Sequence, residues 1–433
     1  MTPTTRFRRR HLLLLALALA AVASWLASRA ERVDVAPPPG ETWPDGDWVL
    51  AGPTAEPPAE ALARQLSLPY AAGTLRADEA GRTGVVAWRP ELAQPGWNLY
   101  VSGHGHEAIL LAMDGAPLHR WRARLAEAFP GVPRSPDGGS FRRAALLADG
   151  SLLALVQGMG LVKLDAQSRV VWRHAEPLFN DLWVAPDEGQ ILVLTKRAIE
   201  RPDLRRGGPI LEDSIVTFDA GGEVVARASL LAAFERSPFR ELLFPLGETA
   251  DILHSNTIEV LDGAGAASAG ALARGNLLVS LREIDTVALL DPAGSEVLWA
   301  RRGPFRRQHE PTLLADGRIL LFDNLGGAAG ASRVVALDVA SGELEVIFAG
   351  APQRPLASPE AGACRRLSNG DLLVVASEQG VAWELTPAGE IAWELRTPHR
   401  AGTRGQLVAS LFDVVRYETR TPFLARFPLP QAP

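Results

Sequence analysis

One unit of apolar runs and turns recurs along this chain of 433 residues. In each copy, apolar runs of about four to seven residues alternate with turns rich in Gly, Asp and Asn, and most copies end near a tryptophan. The copy Ala144–Trp172, for example, contains the runs Ser151–Val156 and Val162–Asp165. A unit of this kind, repeated every ~40 to 50 residues, predicts one small antiparallel sheet per copy.

Six copies can be recognised by this order of runs and turns. They are Asn98–Trp121, Ala144–Trp172, Asp181–Val225, Ile258–Trp299, Pro311–Phe348 and Cys364–Trp393. Repeats of this size with four short strands are typical of propeller blades, which cover one another around an axis. A β-sandwich with evenly spaced strands is the alternative, but six copies of one unit favour the propeller. We therefore predict an all-β fold, a six-bladed β-propeller.

Segments outside the repeats have their own predicted roles. The tail runs Leu407–Tyr417 and Phe423–Phe427 are candidates for the strand that closes the ring onto the first blade. Helix is expected only in connections, at Trp121–Phe129 and Leu230–Arg236. Globular patterning starts near Gly84, so residues 84–433 are expected to form the propeller. Residues 33–83, rich in Pro and Ala, are expected to be a linker and lead-in.

The N-terminus predicts export from the cytoplasm. Residues Arg6 to Arg10 include four arginines, and Leu12 to Ala27 follow without a charge. This order is typical of a secretory signal peptide or a signal anchor within residues 1–32, and both alternatives stay open. We expect a periplasmic or otherwise extracytoplasmic protein. If the segment is retained, residues 11–28 anchor it in the inner membrane, close to the ~20 residues that span a bilayer.

Composition excludes several classes of function. The formal net charge is −6, so no basic surface for nucleic acid is expected. Cys364 is the one cysteine, which excludes an intrachain disulfide and a cysteine-based metal or redox site. Among 44 basic residues only Lys163 and Lys196 are lysines, an excess of arginine that we attribute to coding bias.

Two histidines stand near the starts of consecutive repeats. His254, in Leu253–Ile258, and His309, in Arg307–Leu313, fall at equivalent points that open consecutive repeats. Arg282 lies between them, at the end of a second apolar run. In propellers the ligand usually lies in the axial channel, so equivalent positions of neighbouring blades point into the same space. A single histidine of this kind is usually structural, but the matched pair favours a functional site.

These segments resemble the arylsulfotransferase family of bacterial periplasmic propellers. The most specific part is Gln308–Pro311 followed by Leu320–Asn324, which is similar to a Gln-His run and a Phe-Asp-Asn turn of that family. The resemblance implies a six-bladed fold and transfer of a sulfuryl group from an aryl sulfate to a phenol, without a nucleotide or other cofactor. It also implies that His309 is transiently sulfurylated and that His254 and Arg282 hold the sulfate oxygens.

Three asparagines are candidates for substrate binding, and the resemblance has one departure. Asn180, Asn256 and Asn324 are expected to contribute to substrate binding. At Leu178–Leu182, where the family usually has a His-His-Asp run, Asn180 stands in place of a third histidine. An amide donates a hydrogen bond but does not carry a proton as imidazolium does.

An alternative of another class therefore stays open. In it the chain is a non-catalytic propeller that binds a small anion or a partner protein, an option that Asn180 favours. His104 and His106 alternate as metal ligands would, but without a third ligand nearby we expect a turn with exposed histidines and no metal. Expected partners are small aryl sulfate and phenol substrates and the membrane through the N-terminal segment. A homodimer is left open.

Overall fold

Each sequence repeat folds into one antiparallel sheet, and the six sheets are the blades of a β-propeller. The computed structural model describes residues 48–50, 82–132, 140–205, 209–245, 250–401 and 407–427. The predicted six-bladed, all-β fold is confirmed. The predicted signal or anchor segment, residues 1–32, lies outside the described residues, as does most of the predicted linker. Within the described ranges, no helix has the length and apolar character needed to cross a bilayer.

The blades are numbered here in chain order, and the strands of each run from the axis outward. Blades 1 and 2 consist of Leu411–Tyr417, Trp97–Ser102, Glu107–Leu111 and Pro117–Arg122, and of Phe141–Leu146, Leu152–Val156, Gly160–Leu164 and Val170–Ala175. Blades 3 and 4 consist of Leu178–Val184, Gln190–Ile199, Ile210–Asp219 and Val224–Ser229, and of Ser255–Val260, Leu277–Leu281, Thr286–Leu290 and Val297–Arg302. Blades 5 and 6 consist of His309–Leu313, Arg318–Asp323, Arg333–Asp338 and Leu344–Ala349, and of Ala363–Arg366, Leu372–Ala376, Val381–Leu385, Ile391–Arg396 and Gly84–Trp88.

The two ends of the domain meet in blade 1. Its innermost strand, Leu411–Tyr417, comes from the C-terminal part and pairs with Trp97–Ser102, with Val414 opposite Tyr100. This confirms the prediction that the run ending at Tyr417 closes the ring. The prediction is wrong for Phe423–Phe427, which contains the 3₁₀ turn Leu424–Arg426, because Phe423 packs on Trp121 with ring centroids 5.7 Å apart.

Few helices connect the strands. The predicted helix Leu230–Arg236 is present, and Ser229 caps it by accepting a hydrogen bond from the backbone N–H of Ala232. The prediction for Trp121–Phe129 is correct only for Leu125–Ala128, because Trp121 belongs to the outermost strand of blade 1. Three further 3₁₀ turns are present among the described residues, at Arg240–Leu243, Gly270–Leu272 and Ala328–Gly330. A small sheet outside the blades consists of the strands Trp48–Leu50, Leu407–Ala409 and Arg400–Ala401.

Burial is highest in the middle strands of the blades and decreases toward the outer strands, as expected for sheets covered by neighbours on both faces. The second strands of several blades, such as Leu152–Val156, are buried along their whole length, whereas the outermost strand Val170–Ala175 alternates between exposed and partly buried residues. Tryptophans on fourth strands connect blades: the indole N–H of Trp121 donates to the backbone oxygen of Gly150 at 2.9 Å, and that of Trp393 to the backbone oxygen of Met113 at 2.8 Å. These buried rings therefore supply both apolar area and a directed bond.

The innermost strands of blades 1 to 5 share a β-bulge. In blade 2 the pair Phe141–Val156 is followed by Arg143–Leu155, so one extra residue is inserted on the inner strand. Blades 1, 3, 4 and 5 show register shifts at the same place. A bulge leaves a residue unpaired and re-aims its side chain. Polar and charged side chains near the strand starts are thereby turned toward the axis.

Ring closure generates a first prediction. A chain that ends before Leu411 lacks the inner strand of blade 1, so the polar edge of Trp97–Ser102 is left unpaired. We expect this chain to lose the cooperative thermal transition in circular dichroism. A control chain that ends after Phe427 keeps the closing strand and should keep the midpoint of the full chain. A midpoint within about 2 °C of the full chain in the shorter variant would contradict the closing role.

Candidate functional site

His254, Arg282 and His309 come together at one end of the channel. In an antiparallel blade, the start of the innermost strand and the loop after the second strand lie at the same end. His254 precedes the innermost strand of blade 4, Arg282 follows its second strand, and His309 begins the innermost strand of blade 5. The Nη1 atom of Arg282 lies 3.2 Å from Nε2 of His254, and the charge of Arg282 acts on His309.

His254 is held as a neutral imidazole. Its Nδ1 lies 2.6 Å from Oδ2 of Asp251, and its Nε2 faces Arg282, which can only donate. The proton therefore resides on Nδ1, and Nε2 accepts. Burial, reinforced by the charges of Lys196 and Arg282, lowers the pKa of His254 to about 3, although Asp251 opposes the shift.

Arg282 is buried between His254 and blade 6. Its Nη2 forms an ion pair with Glu360, and its Nε is buried without a hydrogen-bond partner among the described residues. Burial raises the pKa of Glu360 to about 7, against the lowering effect of Arg282 and Arg307. The guanidinium is thus fixed on two sides while one N–H is left for another acceptor.

His309 has a defined tautomer. Its Nδ1 lies 2.8 Å from Oδ1 of Asn324 and 3.0 Å from the backbone oxygen of Arg307. Asn324 donates both N–H groups to the backbone oxygens of Ser358 and Ala361, so its oxygen must face the imidazole. Nδ1 therefore carries the proton and Nε2 the lone pair, and both hydrogen bonds that the ring makes to described residues are at Nδ1.

The protonation of His309 is governed by its surroundings. Burial and the neighbouring charges of Arg282 and Arg142 lower its pKa well below the ordinary value for histidine, although the bond to Asn324 acts in the opposite direction. His309 is 4% exposed, so little water screens these charges. The side chain is consequently a neutral base with a free nitrogen beside fixed positive charge.

The residues of the Gln-His run explain how His309 is placed. Gln308 is fully buried, and its Nε2 lies within hydrogen-bond distance of Ser280, Leu281 and Thr286 in blade 4. Its backbone oxygen accepts from Asn256 at 2.8 Å. The start of blade 5 is therefore fastened to blade 4 immediately before His309.

The Phe-Asp-Asn turn has a similar positioning role. Asp323 accepts from the backbone N–H groups of Arg306 and Gly326, at 2.8 and 2.9 Å, and so shapes the loop that presents Asn324. A Cβ atom at Gly326 would lie 2.0 Å from Oδ2 of Asp323, so only glycine fits there. The turn fixes Asn324, which in turn orients His309.

The three asparagines predicted to bind substrate form one structural pattern. The side-chain N–H groups of Asn180, Asn256 and Asn324 donate to backbone oxygens at the start of the next blade. For Asn180 the acceptor is Ser255, at 2.7 Å. Asn324 has no N–H left for a ligand, so the structure gives it the task of orienting His309. Substrate binding by Asn180 and Asn256 stays a prediction.

The two histidines differ in register. Ser255 of blade 4 is paired just before the bulge, and His309 is the corresponding residue of blade 5. His254 lies one residue earlier, at φ +51°. The expectation that the histidines occupy equivalent positions is therefore wrong by one residue, because position along the repeat does not reveal where each bulge begins. The left-handed turn at His254 nevertheless brings its ring to the same end of the channel.

Next to this site, every blade contributes one charged side chain from its innermost strand. Arg143 of blade 2 bonds Asp181 of blade 3 at 2.9 Å and Asp413 of blade 1 at 2.6 Å. Arg365 of blade 6 bonds the same Asp413 at 2.6 Å. Both arginines also form ion pairs with Glu310 of blade 5, which follows His309. Glu259 of blade 4 completes this axial charge cluster by acting electrostatically on the same carboxyls.

Four carboxyl groups therefore face two arginines in the axial charge cluster, and the carboxyl groups titrate differently. Burial raises the pKa of Asp181 to about 7 and that of Glu259 to about 8, with contributions from neighbouring carboxylates. Asp413 behaves in the opposite way: Arg143 and Arg365 overcome its burial and lower its pKa to about 2. Protonation of Asp181 and Glu259 near neutral pH brings the cluster close to electroneutrality.

Sequence reasoning missed most of this cluster and several neighbours of the histidines. The missed residues are Arg142, Arg143, Asp181, Lys196, Asp251, Glu259, Glu310, Glu360, Arg365 and Asp413. One signal was present: a charged residue at the third position of an innermost strand, as at Arg143, Arg365 and Asp413. Asp251, Lys196 and Glu360 carry no such signal.

His104 and His106 were expected to lie exposed in a turn. Residues 103 and 104 do form a turn, but His104 is buried, with its Nε2 2.7 Å from Glu107 and its ring stacked on that of His399. The prediction of exposure is therefore wrong for His104, because the chain after blade 6 covers it. Ligand atoms of His104, Glu107 and His399 lie within 4.8 Å of one another, so the expectation that no third metal ligand lies nearby is also wrong. The two imidazole rings are stacked in parallel, with centroids 3.4 Å apart.

Fold and site together define the class of protein. It is a six-bladed propeller with two neutral histidines and an arginine at one end of its channel. A sequence profile of the arylsulfotransferase (ASST) family matches residues 143–398, more than half of the chain. The chain belongs to the arylsulfotransferase family. No curated protein sequence matches it.

Several solved structures share similarity with the chain. A protein of unknown function from Bacteroides caccae is 15% identical, with a TM-score of 0.46, and the similarity covers 70% of this chain and 93% of that one. Kuenenia stuttgartiensis hydrazine synthase is 12% identical, with a TM-score of 0.46 and coverage of 77% and 97%. A streptogramin B lyase is 11% identical, with a TM-score of 0.43 and coverage of 79% and 96%.

The axial charge cluster generates a prediction about pH. The pKa of Glu259 is raised to about 8 in the folded state, so its ionisation opposes folding as the pH rises from about 4.5 to 8. Glu259→Gln removes this effect. Its free energy of unfolding should match that of the wild type at pH 5 but exceed it by about 1–3 kcal/mol at pH 8. Urea unfolding at both pH values measures the difference.

Glu343 provides the matched control because it is exposed on an outer turn of blade 5. For Glu343→Gln, the free energy of unfolding should differ from that of the wild type by the same amount at both pH values. A pH-independent difference for Glu259→Gln would show that its carboxyl group does not ionise within the cluster as described.

Proposed function

We propose that this protein transfers a sulfuryl group from an aryl sulfate to a phenolic acceptor through a sulfo-histidine at His309. The observation that carries this proposal is the tautomer of His309, which leaves the lone pair on Nε2, while the charge of Arg282 acts on the same ring. Family membership supports sulfuryl transfer as the class of reaction. The residue roles and the covalent intermediate are our inference from the geometry.

In the first half-reaction, the lone pair of His309 Nε2 attacks the sulfur atom of the aryl sulfate. An N–S bond forms, the S–O bond to the aryl group breaks, and the phenolate leaves with the bonding electrons and takes up a proton from water. Splitting one transfer into two displacements lowers each barrier. The proton on Nδ1 remains shared with Asn324, which supports the positive charge that develops on the ring.

In the second half-reaction, the oxygen of an acceptor phenol attacks the same sulfur and gives up its proton to water. The new S–O bond forms as the N–S bond breaks, and His309 recovers its lone pair. Both steps place negative charge on the non-bridging sulfuryl oxygens. The buried N–H of Arg282 is suited to stabilise that charge, because fixed donors act strongly where water is excluded.

Covalent labelling tests the proposed nucleophile. Incubation with p-nitrophenyl sulfate at neutral to alkaline pH should add about 80 Da, the mass of SO₃, to the peptide that contains His309. His309→Ala should abolish both the label and the release of nitrophenolate. His254→Ala and Arg282→Ala should slow transfer roughly 10²-fold, because each removes a group that fixes or forms the oxyanion site.

His119 supplies the control, since it lies on the outer strand of blade 1 and bonds a backbone oxygen of Ala166. His119→Ala should retain the label at His309. A folded wild-type protein that stays unlabelled with several aryl sulfates would favour the alternative, a propeller that binds an anion without transferring it. In that case Asn180→His, which adds an imidazole near the start of blade 3, should also remain inactive.

The orientation of His309 gives a further prediction. Asn324→Ala removes the acceptor that holds the proton on Nδ1, so the ring can adopt the unreactive tautomer and labelling should slow about 10-fold or more. Asn369→Ala, at an exposed turn of blade 6, is the matched control and should label at the wild-type rate. Equal rates in the two variants would show that Asn324 does not orient the nucleophile.

A further inference from the structure

Lys196 is exceptional in both sequence and structure. The chain uses lysine at only two positions, and the second, Lys163, lies on the third strand of blade 2. Lys196 lies on the second strand of blade 3, and its side chain is only 5% exposed. A buried lysine in a chain that otherwise uses arginine indicates that this position needs a compact point charge.

The contacts of Lys196 lead directly to His254. Its Nζ lies 2.5 Å from Oδ2 of Asp251, and the same oxygen lies 2.6 Å from Nδ1 of His254. His254 in turn accepts from Arg282. A continuous chain of polar contacts thus runs from blade 3, through the segment before blade 4, to the arginine of the candidate site. Asn180 is uncharged, so Lys196 is the cation that blade 3 contributes to this series of polar contacts.

We propose that Lys196 is a positioning residue that keeps His254 neutral through their shared contact with Asp251, so that His254 accepts from Arg282 and holds its guanidinium in place. Only the predicted effect of Lys196 on turnover rests on the proposed function. The arrangement of Lys196, Asp251 and His254 stands on geometry alone.

The physical argument concerns the charges around His254. The charged and titratable groups that face it or its direct contacts are Asp251, Lys196, Asp213, Arg282, Glu283, Glu360 and His309. Asp251 alone would favour an imidazolium. Lys196 offsets that carboxylate, and Arg282 repels a second positive charge. A protonated His254 would present an N–H to Arg282 and displace the guanidinium.

Arginine would serve this position less well than lysine. The end of Lys196 lies against Asp251 on one side and 5.7 Å from the ring of Phe179 on the other. The directly opposite residue on the neighbouring strand is Asp213, which is fully buried and bonds Ser255. A planar guanidinium has five N–H groups to satisfy, whereas an ammonium concentrates its charge on one atom.

Histidine titration by NMR tests the proposal without requiring turnover. With ¹⁵N-labelled histidine, and with the His254 signal assigned from a His254→Asn spectrum, wild-type His254 should remain neutral between pH 8 and 5. In Lys196→Met its titration midpoint should rise by at least about one pH unit. Lys196→Arg keeps the charge and should keep His254 neutral at pH 5, and Lys163→Met is the control that should match the wild type.

Two results would overturn the proposal. One is a wild-type His254 that already titrates near its ordinary value, which decides the matter even if Lys196→Met fails to fold. The other is a folded Lys196→Met, or Lys196→Gln, whose His254 titrates as in the wild type. Neither result depends on sulfuryl transfer, so failure of this inference and failure of the proposed function are separable.

Turnover adds a readout that a merely structural role would not change. Lys196→Met should lower kcat about 10-fold one pH unit below the His254 titration midpoint measured for that variant, and kcat should recover toward the wild-type value at pH 8, where His254 is neutral again. Lys196→Arg should show the wild-type pH profile. An equal loss of kcat at both pH values would indicate a general structural defect and would contradict the role assigned to Lys196.

Discussion

The inner edge of the ring is closed by one pairing, that of Leu411–Tyr417 with Trp97–Ser102. Without it the first blade would lack its inner strand, and only the outer pairing of Gly84–Trp88 with Ile391–Arg396 would join the N-terminal strand to blade 6. The same strand carries Asp413, which bonds both Arg143 and Arg365 in the axial charge cluster. Closing the backbone and completing the cluster are therefore one event. Buried charges of this kind are costly when a partner is missing, which ties the cluster to a correctly closed ring.

The candidate site is built from neutral imidazoles beside fixed cations. Burial and the charge of Arg282 both disfavour protonation of His309, which leaves Nε2 able to attack. His254 is neutral for related reasons but uses its nitrogen to hold Arg282. The two histidines therefore have different tasks although they share one protonation state. In each, the task follows from what occupies the second nitrogen: Asn324 for His309, and Asp251 for His254.

Local pattern was sufficient for part of the site and not for the rest. His254, Arg282 and His309 could be predicted because each stands at a recognisable point of a repeat and within a family-like motif. Asp251, Lys196 and Glu360 could not, because they reach the histidines and Arg282 from other segments and no short pattern links them. The role of Asn324 was predicted as substrate binding. Only the direction of its amide, fixed by two backbone oxygens, shows that it orients His309.

The sequence by itself determined the number of blades, the run that closes the ring and most strand positions, because apolar periodicity and turn residues are local properties of the chain. It also placed both histidines near strand starts. Tertiary structure alone decided which charges meet at the axis, which nitrogen of each histidine carries the proton, and that His254 is one residue out of register with His309. Those features depend on bulges and on contacts between blades, whose energies arise only when segments distant in the chain are packed together.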